Sequence, residues 1–222
     1  MLYKYLKMVV FVIASAVLFT VVPQDAVAQQ SKKQEKQLQK ALKKEYKKKM
    51  AEYKREKWKL SGSSRTLDVA LLTHYQKLGE DAGNNVEFVG EVSQCQSINV
   101  CKQFALTNAL NRYAALASGN VKGRITSMLR ADANMPQIEI DKFIAAYENQ
   151  VKAEVDGVLT ESYSIIKEKG ATNEYKTFFI LNEEKAGLAR KRALERSLLE
   201  TKIAIREAEE ISKFVNEGFS LD

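Results

Sequence analysis

Apolar and polar positions along this chain follow several distinct rhythms, and each rhythm predicts an element. From Met8 to Val22 the chain is a continuous apolar run, interrupted only by Ser15 and Thr20. Between Leu38 and Tyr53 apolar residues return every three or four positions amid lysines. Leu38, Leu42, Tyr46, Met50 and Tyr53 fall within about 120° of one another on a helix, which predicts an amphipathic helix over 29–57. Trp58 to Gly62 reads as a short strand, closed by Gly62-Ser63-Ser64. Thr66 is a good N-cap for a following helix, with Asp68 in its first turn and Val69, Leu71, Leu72, Tyr75 and Leu78 as its buried side.

A second strand is expected at 86–93, then a long helix from about Asn99. In that helix Cys101, Ala105 and Ala109 recur every four positions, a row of small residues suited to close packing; Gly119 and Gly123 mark places where it kinks or ends. After Pro136 a further helix carries Ile140, Phe143, Ile144, Tyr147 and Val151 on one side and stops at Gly157. Residues 158–168 and 174–181 alternate as strands and are joined by a Gly- and Asn-containing turn, the strongest hairpin signal in the chain. Asn182 then caps a long helix over 183–217 that ends at Gly218. Its main apolar stripe includes Leu194, Leu198 and Val215, and a narrower opposite set is Leu188, Leu199, Ile203 and Phe214. The two faces suggest a helix sandwiched between the body and the arm.

The order α-β-α-β-α-α-β-β-α predicts an α+β fold. A small four-stranded mixed or antiparallel sheet would be packed by long helices, mostly on one face, with a basic amphipathic helix in front and a long C-terminal helix behind. Three segments are expected: a signal peptide at 1–28, the helical arm at 29–57, and a single domain at 58–222. The first rests on Lys4 and Lys7 before the apolar run and on Ala26-Val27-Ala28 after it. Export to the periplasm or cell envelope follows, with no spanning segment in the mature chain.

Charge sharpens this picture. The overall +7 conceals a division: residues 29–59 hold 13 Lys/Arg against 4 Glu, whereas residues 60–222 hold 20 basic and 23 acidic groups. All the excess positive charge therefore sits in the arm. For an exported chain the expected counter-charge is an anionic envelope component or an envelope protein, a second copy included, and not nucleic acid.

Candidate chemistry is sparse. The one histidine, His74, sits mid-helix with no nucleophile signature around it, and a structural role is expected. No catalytic, cofactor-binding or metal-binding residues are assigned, and no cofactor is expected. "CQSINVC" holds the only cysteines, Cys95 and Cys101, at a strand-to-helix junction. Three roles stand open for them: a local disulfide in an oxidising compartment, two packed thiols, or metal or redox chemistry.

The stretches "GEVSQCQSINVCKQFALTNALNRYAALASGNVKGRI" and "VDGVLTESYSIIKEKGATNEYKTFFIL" together resemble the envelope-protein family typified by the Helicobacter twenty-kilodalton lipoprotein antigen. Strand, alanine-spaced helix and a hairpin with Tyr175 after its turn carry the likeness across residues 86–182. It implies a compartment and a fold but no mechanism. The family is lipid-anchored, whereas no cysteine stands near Ala28, so that anchor does not carry over. Signal peptide, lysine-rich arm and "WKLSGSSRTLDVALLTHYQKL" also look like small exported proteins of Bacteroides-type bacteria.

The expected function is a non-catalytic exported envelope protein that binds or assembles through its basic arm and C-terminal helix. The interaction residues are Leu38, Leu42, Tyr46, Met50, Tyr53, Leu188, Leu199, Ile203 and Phe214. The alternatives are a pocket-type binder of a small envelope ligand and, less favoured, a hydrolase.

Overall fold

The computed structural model describes residues 24–81, 84–129, 137–201, and 209, 212, 213 and 215. The expected signal-peptide core lies outside these residues, while positions 24–28 are helical. The elements are α1 (Gln24–Glu56), β1 (Lys59–Ser61), α2 (Leu67–Glu80), β2 (Asn85–Cys95), α3 (Ile98–Leu129), α4 (Gln137–Asp156), β3 (Thr160–Lys169), β4 (Thr172–Asn182) and α5 (Glu183–Thr201). Their order and type match the sequence pattern. Two compact units divide the chain at 38/39, so residues 39–57 of the expected arm cluster with the body.

The sheet is antiparallel throughout, ordered β1-β3-β4-β2. Its central hairpin closes through Gly170 at φ +64, a backbone value that glycine adopts without penalty. Between Glu161 and Tyr163 the β3/β4 register shifts by one residue, a bulge that re-aims Ser162.

Side chains alternate across the sheet, and both faces are covered by helices. Phe88, Phe179 and Leu181 face a core completed by Ala109, Tyr113 and Val121 of α3, Phe143, Tyr147 and Val151 of α4, and Ala189 and Leu194 of α5. Tyr163, Ile165 and Phe178 face the other way, where Tyr53 of α1, Trp58, and Ala70 and Leu71 of α2 cover them. Helices thus occupy both faces rather than mostly one. The stripe of α1 explains why: Tyr53 is 2% exposed, and Tyr46 and Met50 pack beside it. Of the arm, Tyr46, Met50 and Tyr53 pack on the Tyr163–Phe178 face of the sheet, and α4 packs against α5 through Phe143, Tyr147, Ala189 and Leu194.

Two local expectations also change. The side of α2 that meets the sheet is Ala70, Leu71 and His74, which leaves Val69 and Leu72 nearly half exposed. The α3 helix runs unbroken through Gly119 and Gly123, because Ala117, Val121 and Ile125 bury one continuous side of it.

The small-residue row of α3 works as a packing device. Cys101, Ala105 and Ala109 are essentially unexposed, and Gly90 of β2 lies directly beneath the Ala105 backbone. At the start of α3, Cys95 and Cys101 form a disulfide with a Cα–Cα distance of 5.4 Å. It encloses a small cluster with Ala105 and Tyr175 and ties the end of β2 to the first turn of the helix.

Candidate functional site

The exposed flank of α1 is the most strongly patterned surface. Counting 100° per residue from Tyr46, Lys40, Lys43, Lys44, Lys47 and Lys54 fall between about 60° and 160°. Glu45, Glu52 and Glu56 fall between about 240° and 280°, on the other flank of the docked stripe. The helix therefore separates its charges, and all five of those lysines are exposed. The ion pairs formed along α1 involve other cations: Lys48–Glu45 at 3.9 Å, Lys49–Glu52 at 3.3 Å and Arg55–Glu56 at 3.6 Å. Among the described residues none of the five ridge lysines has a carboxylate within 4.0 Å. From Lys40 to Lys54 the ridge is about 21 Å long.

Docking holds this ridge in place. The Tyr46 hydroxyl donates to Asp68 Oδ1 of α2, and that acceptor pushes the phenol pKa up. Deeper in, the Tyr53 and Tyr163 hydroxyls lie 3.1 Å apart, and burial raises the pKa of both. The helix's apolar stripe is thus consumed by the body. Tyr53 is unavailable to a partner, contrary to expectation, and Tyr46, Met50 and Leu42 are half-buried. Leu38 closes the first unit. On α5, Leu188 and Leu199 are 52% and 80% exposed, so its second face stays open. Ile203 and Phe214 lie outside the described residues.

A groove of about 490 Å³ opens where the sheet emerges beyond Trp58. Glu56, Trp58, Glu91, Lys167, Glu174 and Lys176 line it. Cross-strand register sets their spacing: Glu91 stands opposite Lys176, and Lys167 opposite Glu174. The Lys167 and Lys176 ammonium groups lie 5.3 and 5.6 Å from the indole centroid, within cation–π range. Trp58 Nε1 donates to Glu56 Oε2 at 3.2 Å, and this bond holds that carboxyl below its ordinary pKa.

The structure also brings together three residues that sequence reasoning left apart. His74 is fully buried; its Nδ1 lies 2.9 Å from Ser162 Oγ and its Nε2 lies 2.7 Å from Glu87 Oε2. Tyr75, Tyr163 and Phe178 enclose the ring edge to face. Serine, histidine and a carboxylate in one chain are the components of a nucleophilic device, but such a device must present serine and imidazole to a substrate. Here the imidazole is sealed between α2 and the sheet, and both nitrogens are satisfied within it. The network is a strut that ties α2 to β2 and β3. Only the bulge at Ser162, which no sequence signal announces, makes it complete.

A second buried polar cluster joins α3 and α5. Arg190, 3% exposed, donates to the Tyr113 hydroxyl and to Glu183 Oε2 at 2.9 Å. Burial pushes Tyr113 up to about 12. No group of three or more His, Cys, Asp or Glu among the described residues is arranged to hold a metal ion, and none of their helices is long and apolar enough to cross a membrane. Protein-family models, curated proteins and solved structures were all compared with the chain, and none matches it.

Proposed function

We propose that this is an exported, non-catalytic cell-envelope protein that attaches through the lysine ridge of α1 to an anionic lipid surface. The observation that carries the reading is the segregated row of Lys40, Lys43, Lys44, Lys47 and Lys54 without carboxylate partners, on a helix fixed to the body by Tyr46, Met50 and Tyr53. Lysine supplies strongly hydrated point charges, which suit a diffuse headgroup layer better than a paired, geometrically specific ligand. Since the apolar stripe is docked, attraction is electrostatic and the helix lies on the headgroups without inserting. Each lysine near an anionic leaflet contributes about 1 kcal/mol, so five supply about 5 kcal/mol at low salt. The apolar segment and small-residue site at 8–28 support export, as does the resemblance to the lipoprotein-antigen envelope family. The open Leu188–Leu199 face of α5 suits assembly as a second role.

Sedimentation with vesicles tests this. The protein should pellet with vesicles containing phosphatidylglycerol and not with pure phosphatidylcholine, and added salt should release it. Replacing Lys40, Lys43, Lys44 and Lys47 together with Gln should abolish pelleting while leaving the melting curve in place. Equal binding to neutral vesicles, or undiminished binding by the four-fold variant, would overturn the proposal. A second reading, a pocket-type binder, is favoured by the Trp58 groove.

A further inference from the structure

The Trp58 groove carries charged pairs of unequal closeness. Lys176 is fully engaged, its Nζ donating to Glu91 Oε1 at 2.9 Å. Lys167 is held more loosely, in two ion pairs longer than a hydrogen bond, with Glu174 at 3.6 Å and Glu56 at 3.8 Å. Glu174 turns to Lys169, and Glu56 takes the indole N–H. A lysine side chain 27% exposed is therefore held against an aromatic ring at the mouth of a groove, by ion pairs and the ring alone. Across the groove, Glu91 is 58% exposed and is tied only at one oxygen. Positive and negative groups thus alternate over a floor of three strands, β2, β4 and β3. Of their mutual pairs Lys176–Glu91 is the more exposed, at 32% and 58%, while Lys167–Glu174 is half-buried, at 27% and 22%.

We infer that this groove binds a small zwitterion of the α-amino-acid or short-peptide class. The ligand carboxylate is taken by Lys167, with Lys176 beside it, and the ligand ammonium by Glu91 and Glu174, while its backbone lies along the rim formed by Trp58. The volume of about 490 Å³ falls within the range of small-molecule sites. A purely anionic ligand would face three carboxylates, and a purely cationic one two ammonium groups; a zwitterion matches both. The site is separate from the lysine ridge, and neither depends on the other.

Trp58 is the only tryptophan in the chain, so its emission reports on the groove directly. Alanyl-alanine titrated at constant ionic strength should change that emission saturably and shift the indole N–H resonance. N-acetyl-alanyl-alanine and alanyl-alanine amide, each lacking one charge, should bind at least about tenfold more weakly, a loss of about 1.4 kcal/mol. Lys167→Gln and Glu91→Gln should weaken the dipeptide to the same degree, with unchanged melting curves. The four-fold ridge variant should bind it normally, which separates this result from the lipid proposal. Absence of a saturable response in both emission and resonance, or equal responses to the dipeptide and its blocked forms, would overturn the inference.

Discussion

Replacing Gly90 with alanine tests how α3 sits on the sheet. A β-carbon at this position would lie 1.8 Å from the Ala105 carbonyl oxygen, 2.5 Å from its carbonyl carbon and 3.1 Å from its Cα. Ordinary contact needs about 3.5 Å, so α3 and β2 would have to part by on the order of 1.5 Å. Rotamer changes cannot relieve this, because the opposing atoms are backbone. The helix is also held at this level by the Cys95–Cys101 bond and by Asn108 Nδ2 donating to the Glu91 carbonyl at 2.8 Å. Overpacking costs about 1–3 kcal/mol in ordinary cores and more where backbone must move. Loss of glycine's unfolded-state freedom returns about 0.5–1 kcal/mol. The expected net destabilisation is about 3 kcal/mol, read as a lower urea midpoint and a melting temperature lowered by about 6–12 °C. Ala105→Gly should give no rescue, since it removes none of the clashing atoms. Gly119→Ala is the control: a β-carbon there meets nothing within 4 Å, and the change should stabilise by about 0.5–1 kcal/mol. A Gly90→Ala loss below about 1 kcal/mol would refute the reasoning.

Three further outcomes follow from the structure. Without reductant, alkylation and mass measurement should find no free thiol at Cys95 or Cys101, and the Cys95→Ala/Cys101→Ala double variant should lose about 2 kcal/mol, the value expected for so short a loop. His74→Ala should cost about 2–4 kcal/mol in a denaturant melt, because it removes a buried ring and leaves Ser162 and Glu87 without their shared partner; a near-neutral result would contradict the strut. Burial raises the tyrosines at 53, 75, 113, 147 and 163, with Tyr75 and Tyr113 each held near 12. Their folded pKa values exceed the unfolded value of about 10, so the linked stability is complete below pH 10 and is lost as pH rises through the folded values. Tyrosinate absorbance in the folded protein should therefore lag that of the urea-unfolded chain, and both should merge once alkali unfolds it.

What local chemistry governs was legible in the chain. Thr66 accepts from the Val69 amide at 3.3 Å as an N-cap must, Asn182 accepts from Lys185 at 3.2 Å, and the 101/105/109 row is buried as its spacing requires. Helical and strand periods depend on a few neighbouring residues, so element order and type could be read directly, as could the concentration of charge in α1. Which side of each helix faces which neighbour could not. His74 was legible as a structural residue but its partners were not: Ser162 and Glu87, which hold it inside, lie at sequence separations of 88 and 13. The stripe of α1 suited the body, another copy or a membrane surface by its pattern, and the second face of the sheet, carrying Tyr163 and Phe178, decides for the body. The groove likewise assembles residues from α1, β2, β3, β4 and the segment between α1 and β1. By itself the sequence determined the elements, their caps and the segregated lysines, because each depends only on nearby residues. Tertiary structure alone decided the two-sided burial of the sheet, the His74 strut and the open Trp58 groove, because each depends on strand pairings that bring distant residues into contact.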